Sequence, residues 1–450
     1  MAKRKKGYEI ENCVRKNELS YFDIPPIQDS IEKEYYQDVS SESTTPDART
    51  LEFNIAGSTG VCLDLAKSYI KLKVKVVKAD GSPLHATTEK DGGKVSVVNN
   101  LLHSLFSNID VSLNDIFVSR SYSNYPYKAY IQNLLTYSKD SKQKGFLRCE
   151  GWWTDETGKY EDFSSKAIVG RRSWILNKSL ELGGTLKCDL FQQHKLLPSQ
   201  INVKIRCVRS DSNFALLDLY TKAENNPNKG SYKIVVENAV FRVKKVQLTH
   251  HEEERLVKEI HAGPFTIPVR RTDVTVHTIS PGLLNCTVER IAEGQLPRQI
   301  FVAFVDSHAY NSEQDKNPFL FNTFDIDSVA MFVNGVMHPS RPYTPDFTNK
   351  HYVDSYLALC NAVGGWRMDH IPDGVSYEDF CSGACIFSFS VTPETNTSCD
   401  FVNSMQTGNI SMEVKFTKAV PTNAVNAIIY SEYDNNIYIN SSRQISTDYQ

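Results

Sequence analysis

The second half of this 450-residue sequence repeats the pattern of the first, and that duplication limits the fold more than any other feature. In the first half IDVSLNDIFVS (109–119) precedes YKAYIQNLL (127–135); in the second IDSVAMFVNGVMH (326–338) precedes YVDSYLALC (352–360). Each copy reads as strand, tight turn, strand and Tyr-rich amphipathic helix, with the turns at Asn114-Asp115 and Asn334-Gly335. The turn asparagines are 334 − 114 = 220 residues apart, a period too long for a solenoid and suited to a duplicated β-sandwich. Asn-Gly is the strongest short hairpin signal in the chain, because a two-residue type I′ turn needs positive φ at both central positions. Asn114-Asp115 lacks the glycine, so the same hairpin is expected in both domains with the first turn looser.

Alternating segments extend the pattern. SYIKLKVKVV (68–77) sets apolar Tyr69, Leu72, Val74 and Val76 against lysines, as a half-buried strand does. INVKIRCV (201–208) and KIVVENAVFRVKKVQL (233–248) are mirrored by NISMEVKF (409–416) and AVNAIIYSEYDNNIYI (424–439), so both domains close with the same long strands. Short strands joined by loops of varied length predict an all-β chain of two tandem jelly-roll sandwiches, with short helices in the loops and between the domains. The expected division is an N-terminal arm 1–47, a first jelly roll 48–249, a connector helix 250–263, a second jelly roll 264–442 and a C-terminal tail 443–450.

The arm carries a basic tip, Lys3, Arg4, Lys5 and Lys6, and a break at Pro25-Pro26. Its few large apolar residues recur at no fixed period, which suits an extended or disordered segment used for assembly or nuclear import. The first helix has Pro126 in its first turn and Tyr127, Tyr130, Ile131, Leu134 and Leu135 in one stripe, for packing on a sheet. The connector has a capping box at Thr249 and Glu252, with Leu256, Val257 and Ile260 facing inward. Two intervals are long for ordinary loops, 139–183 with Trp152, Trp153 and Trp174, and 340–383 with Trp366. These tryptophans are candidates for outward or inter-subunit contacts.

DIPPIQDSIEKEYYQDV (23–39), VVNNLLHSLFSNIDVSLND (97–115) and YPYKAYIQNLL (125–135) resemble the major capsid proteins of Polinton (Maverick) elements and adintoviruses. The resemblance runs from about Leu19 through the second repeat, and the ordered succession of motifs is what makes it specific. It implies a double jelly roll whose work is self-association: a homotrimer of pseudo-hexameric outline tiling an icosahedral shell around double-stranded DNA. It further implies penton and minor capsid proteins as partners, and a virion assembled in the host cytoplasm or nucleus.

Charge and motifs narrow the alternatives. With 50 basic against 53 acidic residues, the chain lacks the basic excess of a dedicated nucleic-acid coat, so packaged DNA is expected to be met only indirectly. No run approaches 18 consecutive apolar residues, and MAKRKKGYEI has no secretory core. The ten scattered cysteines form no CxxC pair and read as free thiols, and the sequons at Asn177, Asn285, Asn396, Asn409 and Asn440 read as unused. AGSTGV (56–61) lacks the lysine of a phosphate loop, and neither GxSxG nor HExxH occurs. His250-His251 with Glu254, Cys381 with Cys385, and Asp325 with Asp327 contain metal-capable residues without a third ligand at metal spacing. A structural role is therefore expected, with no catalytic, metal or cofactor-binding residues. The rival is a tandem jelly-roll carbohydrate-binding module or enzyme: a cupin-type or copper-dependent enzyme would need an HxH ligand set that the chain lacks, whereas a sugar-binding module would need a concave site of aromatics and carboxylates, which the sequence leaves open.

Overall fold

The computed structural model describes residues 28–43, 45–84, 95–176, 178–218, 232–364, 374–392 and 403–449. The first half contributes β1 (Ile31–Ser40), β2 (Thr50–Ile55), β3 (Val61–Lys78), β4 (Val95–Val97), β5 (Phe106–Leu113), β6 (Ile116–Ser119), β7 (Leu180–Gly184), β8 (Val203–Arg209), β9 (Leu216–Asp218) and β10 (Tyr232–Leu248). The second contributes β11 (Phe265–Ile279), β12 (Asn285–Gln295), β13 (Gln299–Asp306), β14 (Ile326–Val333), β15 (Val336–Met337), β16 (Ile386–Ser390), β17 (Thr407–Phe416), β18 (Val425–Ile439) and β19 (Ile445–Thr447).

Sixteen of these strands form two pairs of four-stranded layers in one repeated order, while β19 adds to the second half beside β18 and β4 pairs with β9 in a separate two-stranded sheet. The first half has β1-β10-β3-β7 and β2-β8-β5-β6; the second has β11-β18-β13-β16 and β12-β17-β14-β15. Position by position the orders match: in each half the first strand is an edge beside the last long strand, and the second strand starts the other layer. Strand pairing is antiparallel in all four sheets. This is an eight-stranded jelly roll formed twice.

Local sequence explains the strands. In β3, Ile70, Leu72, Val74 and Val76 point into the sandwich while Lys71, Lys73 and Lys75 face outward, the period of two that a one-sided sheet requires. Tyr69 is out of phase with that set and lies on the outer face against Tyr36 (centroids 6.2 Å apart) and Arg242. In β13, QIFVAFVD is buried from Gln299 through Val305, as a continuous apolar run covered on both faces should be.

Four expectations need correction. The span 1–47 is not an arm throughout, because Ile31–Ser40 pairs with β10 as an edge strand of the first jelly roll. Its half-buried residues Ile31, Tyr35 and Val39 recur every four residues rather than every two, which hides a strand whose outer face is wet. The span 443–450 is not a free tail, since β19 pairs with β18 and Tyr449 donates its hydroxyl to the Val118 carbonyl at 2.7 Å. The connecting helix His250–Ala262 forms, but the Thr249 hydroxyl donates to the Asp29 carbonyl (3.0 Å) instead of closing a capping box. Ile260 on that helix is buried, whereas Val257 is exposed. Finally, the helix Tyr125–Thr136 does not bury a single stripe: every residue from Tyr125 to Leu135 is buried. It occupies the seam between the two jelly rolls, with Tyr127 stacked on Tyr310 (5.8 Å) and Tyr130 on Phe319 (4.2 Å).

Candidate assembly interfaces

The two matched turns occupy equivalent places, between β5 and β6 and between β14 and β15. Asn114 and Asp115 have φ of 45° and 67°, Asn334 and Gly335 φ of 51° and 80°. Leu113 pairs with Ile116 and Val333 with Val336, so each turn has two residues. Each asparagine also braces the neighbouring strand. Asn114 Oδ1 accepts from the Asn202 N–H (2.9 Å) while the Asn114 N–H donates to the Asn202 carbonyl (3.0 Å). Asn334 makes the same pair of bonds with Asn409, both at 2.9 Å. The first hairpin does carry an irregularity, a register shift between Val111 and Ser112. The lack of glycine is offset by an added contact, because Asn114 Nδ2 donates to the Arg443 carbonyl at 2.9 Å. The hairpin strands expose Ile116, Phe117 and Val336.

The seam helix brings buried charge to the second domain. Lys128 Nζ lies 2.7 Å from Asp189 Oδ1, both side chains being buried. Lys128 also donates to the Thr272 carbonyl (3.2 Å), Asn124 Nδ2 to the Val274 carbonyl (3.0 Å), and the Thr272 N–H to Asp189 Oδ1 (3.2 Å). Thr272 and Val274 belong to β11, an edge strand whose outward N–H and C=O groups are open to pairing with another chain unless covered. In this protein the first domain covers them. On the equivalent edge of the first domain, β1 is exposed at Glu32, Lys33, Glu34, Tyr36, Gln37, Asp38 and Ser40.

Behind the helix lies a second polar cluster. His103 Nε2 meets Glu150 Oε2 at 3.1 Å and His103 Nδ1 meets the Tyr125 hydroxyl at 2.8 Å. Asn133 Nδ2 donates to Glu150 Oε2 (3.0 Å), and Lys187 Nζ lies 3.6 Å from Glu150 Oε1. Burial pushes His103 below its ordinary value although Glu150 opposes this. Burial raises Glu150, but His103, Lys187 and Asn133 more than offset it and hold the carboxyl below the usual range. The consistent state is an ionised Glu150 facing Lys187, with neutral His103 donating from Nε2 and accepting the Tyr125 hydroxyl proton at Nδ1. A Cβ at Gly184 would stand 2.5 Å from Glu150 Cγ, so the cluster fits only against glycine. Arg171 and Asp155 form a further buried pair at 2.8 Å. Such pairs fix geometry more than they add stability, because desolvation offsets most of the attraction.

The aromatic candidates separate. Trp152 is only 2% exposed and stacks on Tyr130 at 5.1 Å, so it is a core residue of the seam and not a surface contact. Trp153 is half-buried beneath the Arg148 guanidinium at 3.5 Å and beside half-buried Trp174 at 6.2 Å. The interval that holds them is loop interrupted by two helices, Lys139–Gln143 and Lys166–Ile175. Trp366 and the basic tip Lys3, Arg4, Lys5 and Lys6 lie outside the described residues. Among the described residues no group of three or more His, Cys, Asp or Glu side chains is placed to hold a metal ion. His250 and Glu254 meet at 3.3 Å on an open helix face. Cys381 ends the helix Tyr377–Cys381, and Cys385 precedes β16 with burial raising its thiol. Asp325 pairs with Lys418 at 3.0 Å in the turn before β14, and Asp327 is exposed. The seam charges Lys128, Glu150 and Asp189 were missed by sequence reasoning. Their one signal was Lys128 beside the apolar stripe of Tyr127, Tyr130, Ile131, Leu134 and Leu135.

No family model matches the chain. An uncharacterized protein of Caenorhabditis elegans is 24% identical over 419 residues, covering 91% of this chain and 96% of that one. Among solved structures, a chain of the Sputnik virophage gives a TM-score of 0.65 at 12% identity, covering 97% of this chain and 92% of that one. The mavirus major capsid protein gives 0.57 at 10% identity, covering 100% and 96%. The Faustovirus major capsid protein gives 0.55 at 12% identity, covering 93% and 92%. These neighbours are double-jelly-roll major capsid proteins. The likeness runs the length of both chains and rests on shape rather than sequence. The strand order and the neighbours agree that this chain is an all-β protein of two tandem jelly rolls.

Proposed function

We propose that the chain is a major capsid protein, which self-associates as a homotrimer of pseudo-hexameric outline and tiles an icosahedral shell enclosing double-stranded DNA. The observation that carries this reading is the repeated strand order, β1-β10-β3-β7 with β2-β8-β5-β6 and then β11-β18-β13-β16 with β12-β17-β14-β15. Two equivalent sandwiches per chain give a trimer six similar sides, and closed symmetry then needs only one kind of contact between chains. The full-length likeness to viral capsid proteins supports the same reading.

Within that reading, the motifs at 23–39, 97–115 and 125–135 favour the Polinton and adintovirus group. Penton and minor capsid proteins are the further partners. The near-neutral charge, 50 basic against 53 acidic residues, suits contacts with protein more than with phosphate. The place of action is the virion capsid, assembled in the host cytoplasm or nucleus, and the role is structural rather than enzymatic. The trimer contact should exceed about 2,000 Å² in total, as obligate contacts do. Electron microscopy of the expressed protein tests the reading. Hexagonal capsomers in sheets or closed particles are the expected result; dispersed single chains at high concentration and physiological salt would contradict it.

A further inference from the structure

The two jelly rolls differ in what covers them. The first-domain helix that follows the β5–β6 hairpin is buried on all sides, because it sits on the second domain and closes the edge of β11. The second-domain helix that follows the β14–β15 hairpin, Val353–Ala362, buries only Ser355, Leu359 and Ala362. Its open face carries Val353, 51% exposed, and Leu357, 37% exposed, at i and i+4. The strand equivalent to β11 is β1, an edge whose outward face carries Tyr36, 50% exposed. Among the described residues, one copy therefore has a helix face without a seat and an edge strand without a cover. Within the chain, the equivalent pair of surfaces meets.

We infer that the helix Val353–Ala362 of one copy docks on the edge strand Ile31–Ser40 of a second copy, repeating between chains the contact that Tyr125–Thr136 makes with β11 inside the chain. The occupant is a second copy because the surface seen to fit such a helix in this fold is the edge of a jelly roll, and among the described residues one such edge is filled in cis and one is open. The contact is head-to-tail: it joins different surfaces on the two copies, so every chain offers one of each, and three successive contacts close a ring when each turns the next copy by a third of a circle, as a trimer requires. Covering β1 also removes an edge that would otherwise recruit strands indiscriminately. This inference rests on the capsid reading and names the surfaces that would hold its trimer.

Two variants test it by sedimentation and light scattering. Val353→Asp with Leu357→Asp spoils the helix face; Tyr36→Glu with Ser40→Glu spoils the strand face. All four positions are at least partly open, so circular dichroism should match the wild type, while each variant alone falls from trimer to monomer and loses the part of its thermal stability that assembly supplies. Mixed together, the variants retain one intact helix face and one intact strand face, and the expected product is a one-to-one heterodimer that grows no further. An interface joining like surfaces would give no such rescue. Folded variants that remain trimeric, or a mixture that stays monomeric, would overturn the inference while leaving the capsid reading standing. A monomeric wild type would overturn both.

Discussion

The two helices that follow the matched hairpins have the same place in the fold and opposite fates. Tyr125–Thr136 is enclosed, holds Lys128 against Asp189 in the seam and packs Tyr127 and Tyr130 on second-domain aromatics. Val353–Ala362 lies on the outside, and its N-terminal tyrosine stacks only on its own domain, on Tyr377 at 4.5 Å and Phe380 at 5.6 Å. One sandwich design has thus been used twice with different surroundings. Surroundings, not topology, decide which residues can be charged: a lysine inside the first helix needs a buried carboxylate, while the second helix has solvent to receive its polar groups. A duplicated chain can diverge in this way without altering its strand order, since the eight-stranded frame is set by the alternating strands alone.

The largest effect should come from breaking the seam. Lys128→Met leaves Asp189 buried without its cation, and a loss of about 3–5 kcal/mol is expected from chemical denaturation. The corresponding position on the second helix is exposed Val353, and Val353→Met should change stability by less than about 0.5 kcal/mol. Equal losses at the two sites would end the contrast between an enclosed and an open helix.

The turns come next. Gly335 has open space around it, so Gly335→Val should cost only the strain of a β-branched residue at positive φ, on the order of 1–3 kcal/mol. Removing the bracing amides separates the two hairpins more finely. Asn334→Ala loses the bond from the Asn409 N–H, whereas Asn114→Ala loses both the bond from Asn202 and the one to the Arg443 carbonyl. Each bond is worth about 0.5–1.5 kcal/mol, so the first substitution should be the milder by roughly one such bond. Thermal unfolding of the two single variants side by side decides this.

The smallest effect is on pH dependence. His103 is held below its ordinary value by burial. The unfolded chain therefore takes up a proton near pH 6.5, roughly the free histidine value, that the folded chain refuses. Stability linked to the neutral ring is fully present above that pH and falls as pH drops below it, until the folded value is reached. Glu150, held low by His103, Lys187 and Asn133, stays ionised through this window and does not cancel the slope. Unfolding midpoints of the wild type should fall from about pH 7.5 to about pH 5.5, and His103→Gln should lower the neutral-pH midpoint while flattening that decline. A slope unaffected by the substitution would assign the pH response to other groups.

Much of the frame was legible from residues alone. The alternation in β3, β8 and β17 and the Asn-centred turns are local chemistry: a period of two and a demand for positive φ leave direct marks on sequence. What escaped was set by distant surroundings. β1 hid because an edge strand with one wet face needs few apolar residues, and Ile31, Tyr35 and Val39 repeat at four. In sequence the helix Tyr125–Thr136 has the marks of a one-sided helix because Lys128, Gln132 and Asn133 resemble a solvent face; Asp189, Gln192 and Glu150, from later in the chain, make them interior. Trp152 looked like a loop aromatic for the same reason. The exposed pair Val353 and Leu357 gave no signal, since an apolar helix face reads alike whether its own chain or another covers it.

The mass of the purified full-length protein in solution tests the central claim most directly. At micromolar concentration and neutral pH, light scattering coupled to size exclusion should give the mass of three chains, with little change on dilution, as an obligate contact larger than about 2,000 Å² requires. A folded protein that runs as a single chain of 50.9 kDa under those conditions would contradict the account of the duplicated jelly roll as one tile of a shell.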